Sequence, residues 1–146
     1  MILAVDIGNT NIVVGCIKGE EICFVERMST EATRTELEYA ISFKNVLEMY
    51  GISIEQLDGG IISSVVPPVT NIVKRSVEKI LNTEVMLIGP GVKTGLNILM
   101  DDPRQVGSDR IVNAVAVVHE YPVPAAIIDM GTATTICVVD EKKNYI

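Results

Sequence analysis

Residues 1–19 read MILAVDIGNTNIVVGCIKG, and this stretch decides the fold. An apolar run from Ile2 to Ile7 enters the turn Asp-Ile-Gly-Asn-Thr, and a second apolar run follows over residues 11–18. A glycine then leads into a third run, from Glu21 to Met28. Strand-like runs separated by Gly and Asn turns predict a three-stranded antiparallel meander.

The next part of the chain alternates helices and strands. Thr33 and Glu36 have the spacing of a capping box, which predicts a helix start at Thr33, and Gly51 is typical of a helix end. The other predicted elements are a strand over 60–66, a helix over 67–82, a strand over 85–88, a Gly/Pro loop over 89–95 and a helix over 108–120. The predicted order is therefore βββαβαβα.

The opening pattern then returns. The run from Ala125 to Asp129 enters a turn, Met-Gly-Thr, and a second apolar run follows over residues 133–139. The pairs Asp6 and Asp129, Gly8 and Gly131, and Asn9 and Thr132 then correspond. This self-similarity predicts a duplicated βββαβαβα unit, with one domain over 1–122 and a second over 123–146. The second copy is predicted to be truncated at Ile146.

Composition excludes several classes of protein. The net charge is −7 and aromatic residues make up 4% of the chain, so neither phosphate neutralisation nor base stacking favours nucleic-acid binding. No apolar run has the length of a membrane span, and the N-terminus lacks the basic region of a signal peptide. Three cysteines without metal-binding spacing indicate free thiols, so we expect a cytoplasmic protein without nucleic-acid or membrane partners.

The first turn has residues that suit a phosphate group. Asp6 can hold Mg²⁺ or its waters, Gly8 lets a phosphate approach the backbone, and Asn9 and Thr10 add donors. The same residue types also form ordinary hairpin turns. The second turn, at Asp129, favours the phosphate interpretation, because turns that only reverse a chain have no reason to repeat.

A third segment, Gly107-Ser108-Asp109-Arg110, begins the last predicted helix. Asp109 can accept a proton from a substrate hydroxyl, and Arg110 can contact an anionic substrate. Alternatively, Ser108 or Asp109 only caps the helix and complements its dipole. The spacing alone leaves both interpretations open.

These segments, in this order, resemble the signature of type III pantothenate kinases. DIGNTN (6–11) is similar to that family's first phosphate motif, GSDR (107–110) to its pantothenate motif and DMGTATT (129–135) to its second phosphate motif. GPGVKTGLNI (89–98) and DPRQ (102–105) also resemble the family. The resemblance covers the whole chain and implies an α/β, actin-like (ribonuclease H-like) ATPase fold, a homodimer, and ATP-dependent phosphorylation of pantothenate to 4′-phosphopantothenate.

The resemblance also implies roles for single residues. Asp109 would be the catalytic proton acceptor, Asp129 a ligand of a monovalent cation (K⁺ or NH₄⁺), and Asp6 a ligand of the Mg²⁺ that accompanies ATP. Some family members carry tyrosine as a substrate contact where this chain has Met100. The implied ATP-binding residues are Asp6, Ile7, Gly8, Asn9, Thr10, Asn11, Ile12, Val13 and Thr132, and the implied pantothenate-binding residues are Met100, Gly107, Ser108, Asp109 and Arg110.

Two alternatives remain open at this point. An actin-like fold could transfer phosphate to a different acceptor, such as a sugar, a carboxylate or water, because one fold supports many chemistries. The chain could also be a nucleotide-binding regulator without catalytic activity, although Asp6, Asp109 and Asp129 are all present. Whether the chain is active alone is also open.

Overall fold

A computed structural model describes residues 1–89 and 91–146 of the chain. Pro90, in the predicted loop over 89–95, lies outside the described residues. Contacts divide the chain into two compact units, Met1–Ile88 and Gly89–Ile146. The prediction of an α/β protein is confirmed, because each unit contains a β-sheet and at least one helix.

The first unit contains five strands and two long helices. They are β1 (Ile2–Ile7), β2 (Asn11–Lys18), β3 (Glu21–Ser29), α1 (Glu36–Met49), β4 (Gly59–Ser64), α2 (Pro67–Leu81) and β5 (Met86–Leu87). The predicted bounds of the first two strands agree with the structure, whereas the strand predicted over 85–88 is confined to two residues.

The sheet of this unit has the order β3-β2-β1-β4-β5. β1, β2 and β3 pair antiparallel, which confirms the predicted meander. β4 pairs parallel with β1, and β5 pairs parallel with β4. The carboxyl ends of β1 and β4 therefore lie side by side at one edge, with Asp6 opposite Ser63 and Ile7 opposite Ser64.

Alternation along the strands separates the core from the other face of this sheet. Leu3, Val5 and Ile7 on β1 are buried, whereas the residues between them are only partly buried. Side chains of α1 and α2 pack against the buried face. The largest fully buried side chains of the first unit are Tyr39, Phe43, Leu3, Ile7, Ile12, Leu47, Ile62, Val14, Val69, Val73 and Val77. This core holds β1 by its apolar face and leaves Asp6 pointing away from it.

The predicted start of α1 was wrong by two residues. Thr35 is the N-cap, and the capping box pairs it with Glu38 instead of pairing Thr33 with Glu36. The Thr35 backbone N–H donates to Glu38 Oε2 at 2.7 Å, and the same bond lowers the pKa of Glu38. The predicted end is confirmed, because Gly51 follows the helix with a φ of 67°, which favours glycine.

The second unit contains a four-stranded sheet and one long helix. The elements are β6 (Asn97–Ile98), α3 (Ser108–Glu120), β7 (Ala125–Met130), β8 (Thr134–Val139) and β9 (Asn144–Tyr145), and the strand order is β6-β9-β8-β7. α3 packs against β7 and β8. The bounds predicted for α3 are confirmed, but β6 and β9 were not predicted. The domain boundary predicted after residue 122 stays a prediction.

No helix within the described ranges has both the length and the apolar character needed to cross a membrane.

Candidate functional site

The first Asp-x-Gly turn joins β1 to β2 at the carboxyl edge of the sheet. The Gly8 N–H donates to the Asn11 carbonyl at 2.9 Å and closes the turn. The end of β3 supports it, because Thr30 Oγ1 donates to the Gly8 carbonyl at 2.7 Å and the Thr30 N–H donates to the Thr10 carbonyl at 2.9 Å. The turn is therefore held in one conformation by hydrogen bonds within the first unit.

Side chains within the predicted ATP-binding stretch differ in what they can contact. Ile7 and Ile12 are fully buried in the apolar core, so only their backbone groups can reach a ligand. Asn9 and Thr10 are exposed at the tip of the turn. Asp6 is partly buried, at the last-but-one position of β1. The polar groups of the turn thus lie at the edge of the sheet, and the buried side chains of Ile7 and Ile12 hold the turn against the core.

The carboxyl end of β4 adds hydroxyl groups that the sequence analysis missed. Ser63 lies opposite Asp6 in the parallel register and is 5% exposed. Ser64 Oγ accepts the Val66 N–H at 3.1 Å and lies 2.6 Å from Thr70 Oγ1 in the first turns of α2. Ligands of open α/β sheets bind at the carboxyl ends of the strands, which is the signal that could have identified these residues.

The pantothenate-like segment begins α3. Gly107, not Ser108 or Asp109, is the N-cap of the helix, so the capping interpretation of these two side chains was wrong. Asp109 lies in the first turn, where the helix dipole favours a negative charge, and its Oδ1 accepts the Arg110 N–H at 2.8 Å. Ser108 is 8% exposed, whereas Asp109 and Arg110 are partly exposed.

The second Asp-x-Gly turn lies in the same unit as α3. Asp129, near the end of β7, accepts a hydrogen bond from Asn113 of α3, with 3.2 Å between Nδ2 and Oδ2. Sequence analysis did not identify Asn113 as a neighbour of this carboxylate. A helical spacing of four residues from Asp109 places Asn113 one turn further along α3. One side of the helix thus carries both the proton-acceptor candidate and the partner of Asp129.

The buried thiol of Cys137 on β8 is affected by charges from both motifs. Burial raises the pKa of Cys137, and the negative charges of Asp109 and Asp129 raise it further. Tyr145 lowers the same pKa through a hydrogen bond, and Arg110 lowers it through its positive charge. The electrostatic influence of both carboxylates and of Arg110 therefore extends to one buried thiol. Neither Cys137 nor Tyr145 was predicted as part of the site.

The two Asp-x-Gly turns differ in length, which was not evident when the residues of the two motifs were matched with each other. Seven positions separate the paired residues Asp6 and Val13, whereas six separate the paired residues Asp129 and Thr135. In the shorter turn the Gly131 N–H donates to the Ala133 carbonyl at 3.3 Å, two residues on. The correspondence of residues across the repeat therefore shifts by one after the turn. Thr132, the predicted ATP contact, is exposed at its tip.

A small cavity lies beside the pantothenate-like segment in the second unit. Its volume is about 160 Å³, and its lining includes Ile98, Arg104, Val106 and Ile111. Arg104 Nε lies 3.1 Å from Asp102 Oδ1, so this cation is already partly neutralised. Met100, the predicted substrate contact, is 45% exposed and is not part of the lining.

The carboxylates of the two turns are the candidate ligands for a metal ion. Across residues 1–89 and 91–146, no three His, Cys, Asp or Glu side chains are grouped as a metal site. Asp6 and Asp129 supply carboxylate oxygens, the ligand type that Mg²⁺ and other hard cations prefer. A metal ion held by either carboxylate would take the rest of its ligands from other oxygens, such as those of a bound phosphate.

Comparison with known proteins agrees with this arrangement of motifs. The type III pantothenate kinase family matches residues 2–146. The chain belongs to this family. The membership confirms both the resemblance seen in the motifs and the actin-like class of the α/β fold.

Curated relatives carry the same family name. A type III pantothenate kinase of Brevibacillus brevis is 49% identical over 145 residues, which are 99% of this chain and 57% of the relative. Those of Halalkalibacterium halodurans and an Exiguobacterium species are 46% and 47% identical over the same lengths. The chain therefore spans about 57% of the length of these relatives.

The two motif glycines should respond differently to a side chain. A Cβ on Gly8 would lie 3.1 Å from the Asn11 carbonyl oxygen, whereas a Cβ on Gly131 would lie 3.8 Å from the nearest atom, the Ala133 carbonyl oxygen. We expect Gly8→Ala to lower the free energy of unfolding by about 1–3 kcal/mol, the usual range for overpacking. Gly131→Ala is the matched control and should change it by less than about 0.5 kcal/mol. Urea unfolding followed by circular dichroism measures the free energy of unfolding of both variants. Equal losses in the two variants would contradict the close approach of the Asn11 carbonyl oxygen to Gly8.

Proposed function

We propose that this chain supplies the phosphate-binding and hydroxyl-binding residues of a kinase that transfers a phosphoryl group from ATP to pantothenate. The product is 4′-phosphopantothenate, and the reaction is the first step of coenzyme A synthesis. The observation that supports this proposal most is that α3, which begins with the pantothenate-like segment, packs on β7 and bonds through Asn113 to Asp129 of the second phosphate-like motif. In a member of this family, this packing holds the helix that carries Asp109 against the strand that ends in a phosphate-like motif.

The proposed roles follow the motifs. Asp6, Ile7, Gly8, Asn9, Thr10, Asn11, Ile12, Val13 and Thr132 contribute to nucleotide binding, with Ile7 and Ile12 acting through their backbone. Met100, Gly107, Ser108, Asp109 and Arg110 contribute to pantothenate binding. Arg110 suits the carboxylate of pantothenate, because guanidinium and carboxylate groups form strong, charge-assisted hydrogen bonds. The proposed domains are residues 1–122 and the portion that begins at 123.

In the proposed reaction, a hydroxyl oxygen of pantothenate forms a bond to the γ-phosphorus of ATP while the bond to the β,γ-bridging oxygen breaks and ADP leaves. Asp109 accepts the hydroxyl proton. A carboxylate stabilised by a helix dipole is a weak base, but phosphoryl transfer depends mainly on positioning and charge stabilisation. Asp109 would therefore both orient the hydroxyl and take up its proton, and its place in the first turn of α3 restricts where its carboxylate can lie.

Two cations complete the proposal. Asp6 would hold Mg²⁺ together with ATP, and Asp129 would hold K⁺ or NH₄⁺, with its Oδ2 oriented by Asn113. When bound, they would neutralise negative charge on the transferred phosphoryl group. We also propose, from the family resemblance, that the protein is a homodimer and acts in the cytoplasm, where its three cysteines would stay reduced.

A panel of phosphate acceptors tests the proposed function. The purified chain is incubated with ATP, Mg²⁺ and K⁺, and ADP release is measured with pantothenate, a hexose, acetate or no acceptor. In parallel, the chain is extended with the C-terminal part of the Brevibacillus brevis relative. We expect pantothenate-dependent release that falls when K⁺ is replaced by Na⁺. Release with another acceptor alone would contradict the substrate, and nucleotide binding without release in either form would indicate a regulator.

Asp109→Asn should separate catalysis from nucleotide binding. The variant keeps the shape of the side chain but cannot accept the hydroxyl proton as a base. We expect kcat to fall about 100-fold or more, the range of a general base, with the Kd for Mg·ATP within about twofold of the wild type. The same carboxylate-to-amide change at exposed Glu141 is the control. An unchanged kcat in Asp109→Asn would remove Asp109 from its proposed role.

Asp6→Asn should instead weaken binding of the metal–nucleotide complex. Loss of one charged ligand to Mg²⁺ is expected to raise the Kd for Mg·ATP about tenfold, which corresponds to about 1.4 kcal/mol. The Kd for pantothenate should change little, because Asp6 belongs to the first unit and the proposed pantothenate residues to the second. Isothermal titration calorimetry measures both, with exposed Glu20→Gln as control. Normal affinity for Mg·ATP would contradict the assignment of the first turn.

A further inference from the structure

Thr30 lies outside the DIGNTN segment but contacts the turn that this segment forms. It directly follows β3, which pairs with β2 beside the turn. Its Oγ1 donates to the Gly8 carbonyl at 2.7 Å, a distance typical of an O–H···O bond, and its N–H donates to the Thr10 carbonyl at 2.9 Å. One residue at the end of a neighbouring strand therefore holds two carbonyl groups of the turn from the same side.

These two bonds determine where two N–H groups of the turn point. A peptide unit is planar and trans, so its C=O and N–H groups point in opposite directions. The Gly8 carbonyl shares its peptide unit with the Asn9 N–H, and the Thr10 carbonyl shares one with the Asn11 N–H. Because both carbonyls are directed towards Thr30, both N–H groups are directed away from it.

Both N–H groups are placed to bind a ligand. The pairing of β1 with β2 stops at Ile7 and Ile12, so Asn11 has no partner residue on β1. Across residues 1–89 and 91–146, no turn or loop hydrogen bond has the Asn9 or the Asn11 N–H as its donor. Backbone N–H groups that face one side of a turn form an anion-binding concavity. The first turn thus presents two oriented donors at the edge of the sheet.

The side-chain hydroxyl of Thr30 is important because the peptide that it holds follows a glycine. Without a Cβ, Gly8 can adopt backbone conformations that are closed to other residues. A rotation of this peptide would reverse the direction of the Asn9 N–H. The hydrogen bond from Thr30 Oγ1 opposes that rotation, since it would be broken when the Gly8 carbonyl turns away.

We infer that Thr30 is a positioning residue, whose hydroxyl fixes the Gly8–Asn9 peptide so that the N–H groups of Asn9 and Asn11 are directed at a phosphate of the nucleotide. The identity of this anion rests on the proposed function, but the ordering of the two N–H groups does not. Donors that are ordered before binding give higher affinity, because less conformational entropy is lost when the ligand binds.

A purely structural role for the hydroxyl makes a different prediction. If it only ties the end of β3 to the turn, its loss should lower stability but leave the phosphate affinity of the folded chain unchanged. Thr30→Val removes the hydroxyl and keeps the branched shape and the backbone N–H, whereas Thr30→Ser keeps the hydroxyl. Thr33→Val is the matched control, because Thr33 is exposed in the same connection between β3 and α1.

The first measurement needs no ligand. Nitrogen-15 relaxation of the backbone amides gives an order parameter for Asn9 and for Asn11. We expect values above about 0.8 in the wild type, in Thr30→Ser and in Thr33→Val, and a value below about 0.6 for Asn9 in Thr30→Val. An unchanged Asn9 value in folded Thr30→Val overturns the inference. A wild-type Asn9 value below about 0.6 also overturns it, even if Thr30→Val fails to fold.

The second measurement concerns the phosphate groups. Isothermal titration calorimetry gives the Kd for Mg·ATP and for Mg·tripolyphosphate, which has the phosphate chain without the nucleoside. Thr30→Val should raise both Kd values about fivefold, the size expected for one lost hydrogen bond, while the Kd for pantothenate stays within about twofold. Thr30→Ser and Thr33→Val should keep all three values within about twofold of the wild type.

Unchanged affinity of folded Thr30→Val for both phosphate ligands would overturn the inference, and so would a loss of affinity that Thr30→Ser does not restore. A rise confined to Mg·ATP would overturn it as well, because the hydroxyl would then act on binding of the nucleoside. Absence of Mg·ATP binding already in the wild type contradicts the proposed function instead, and the order parameters then decide the role of Thr30.

Discussion

The parallel pairing of β1 with β4 in the middle of the first sheet is the constraint on which the rest of the first unit depends. It places Asp6 opposite Ser63 and sets the carboxyl ends of both strands at one edge. Burial of Leu3, Val5 and Ile7 fixes which side of β1 faces the helices, and a shift of one residue would turn Asp6 into the core. The position of the first turn thus follows from apolar packing. The groups of the turn that could contact a ligand are the polar residues that lie outside the apolar core.

A similar relation between packing and chemistry holds in the second unit. α3 packs on β7 and β8, with Ile111 and Ala114 buried, and this contact sets the polar start of the helix beside the end of β7. The Asn113–Asp129 bond and the shared influence of both carboxylates on Cys137 are consequences of that packing. The packing of the apolar side of α3 therefore sets the position of the GSDR segment relative to the second Asp-x-Gly turn.

Much of this arrangement could be predicted, because the strongest signals are local. Apolar runs bounded by Gly and Asn turn residues identified β1 and β2, and Ser108 and Asp109 identified the start of α3, with their observed bounds. The start of α1 was misplaced because Thr33 and Thr35 both have an acidic residue three positions later, and only backbone geometry selects Thr35. β6 and β9 are two residues long and exist through pairing with distant partners, so no periodicity marks them. Tyr145 was missed for the same reason, since only the pairing of β9 places it opposite Val139 in the sheet.

We have proposed that residues of both Asp-x-Gly turns contribute to ATP binding and that the start of α3 contributes to pantothenate binding. This proposal is tested most directly by titrating the nitrogen-15-labelled chain with Mg²⁺ and a non-hydrolysable ATP analogue, and then with pantothenate, while amide chemical shifts are recorded. We expect the amides of Gly8, Asn9 and Thr10 and those of Gly131 and Thr132 to shift when the nucleotide is added. Pantothenate should then shift the amides of Gly107 to Arg110. Nucleotide-dependent shifts confined to one of the two turns, or pantothenate-dependent shifts away from the start of α3, would contradict it.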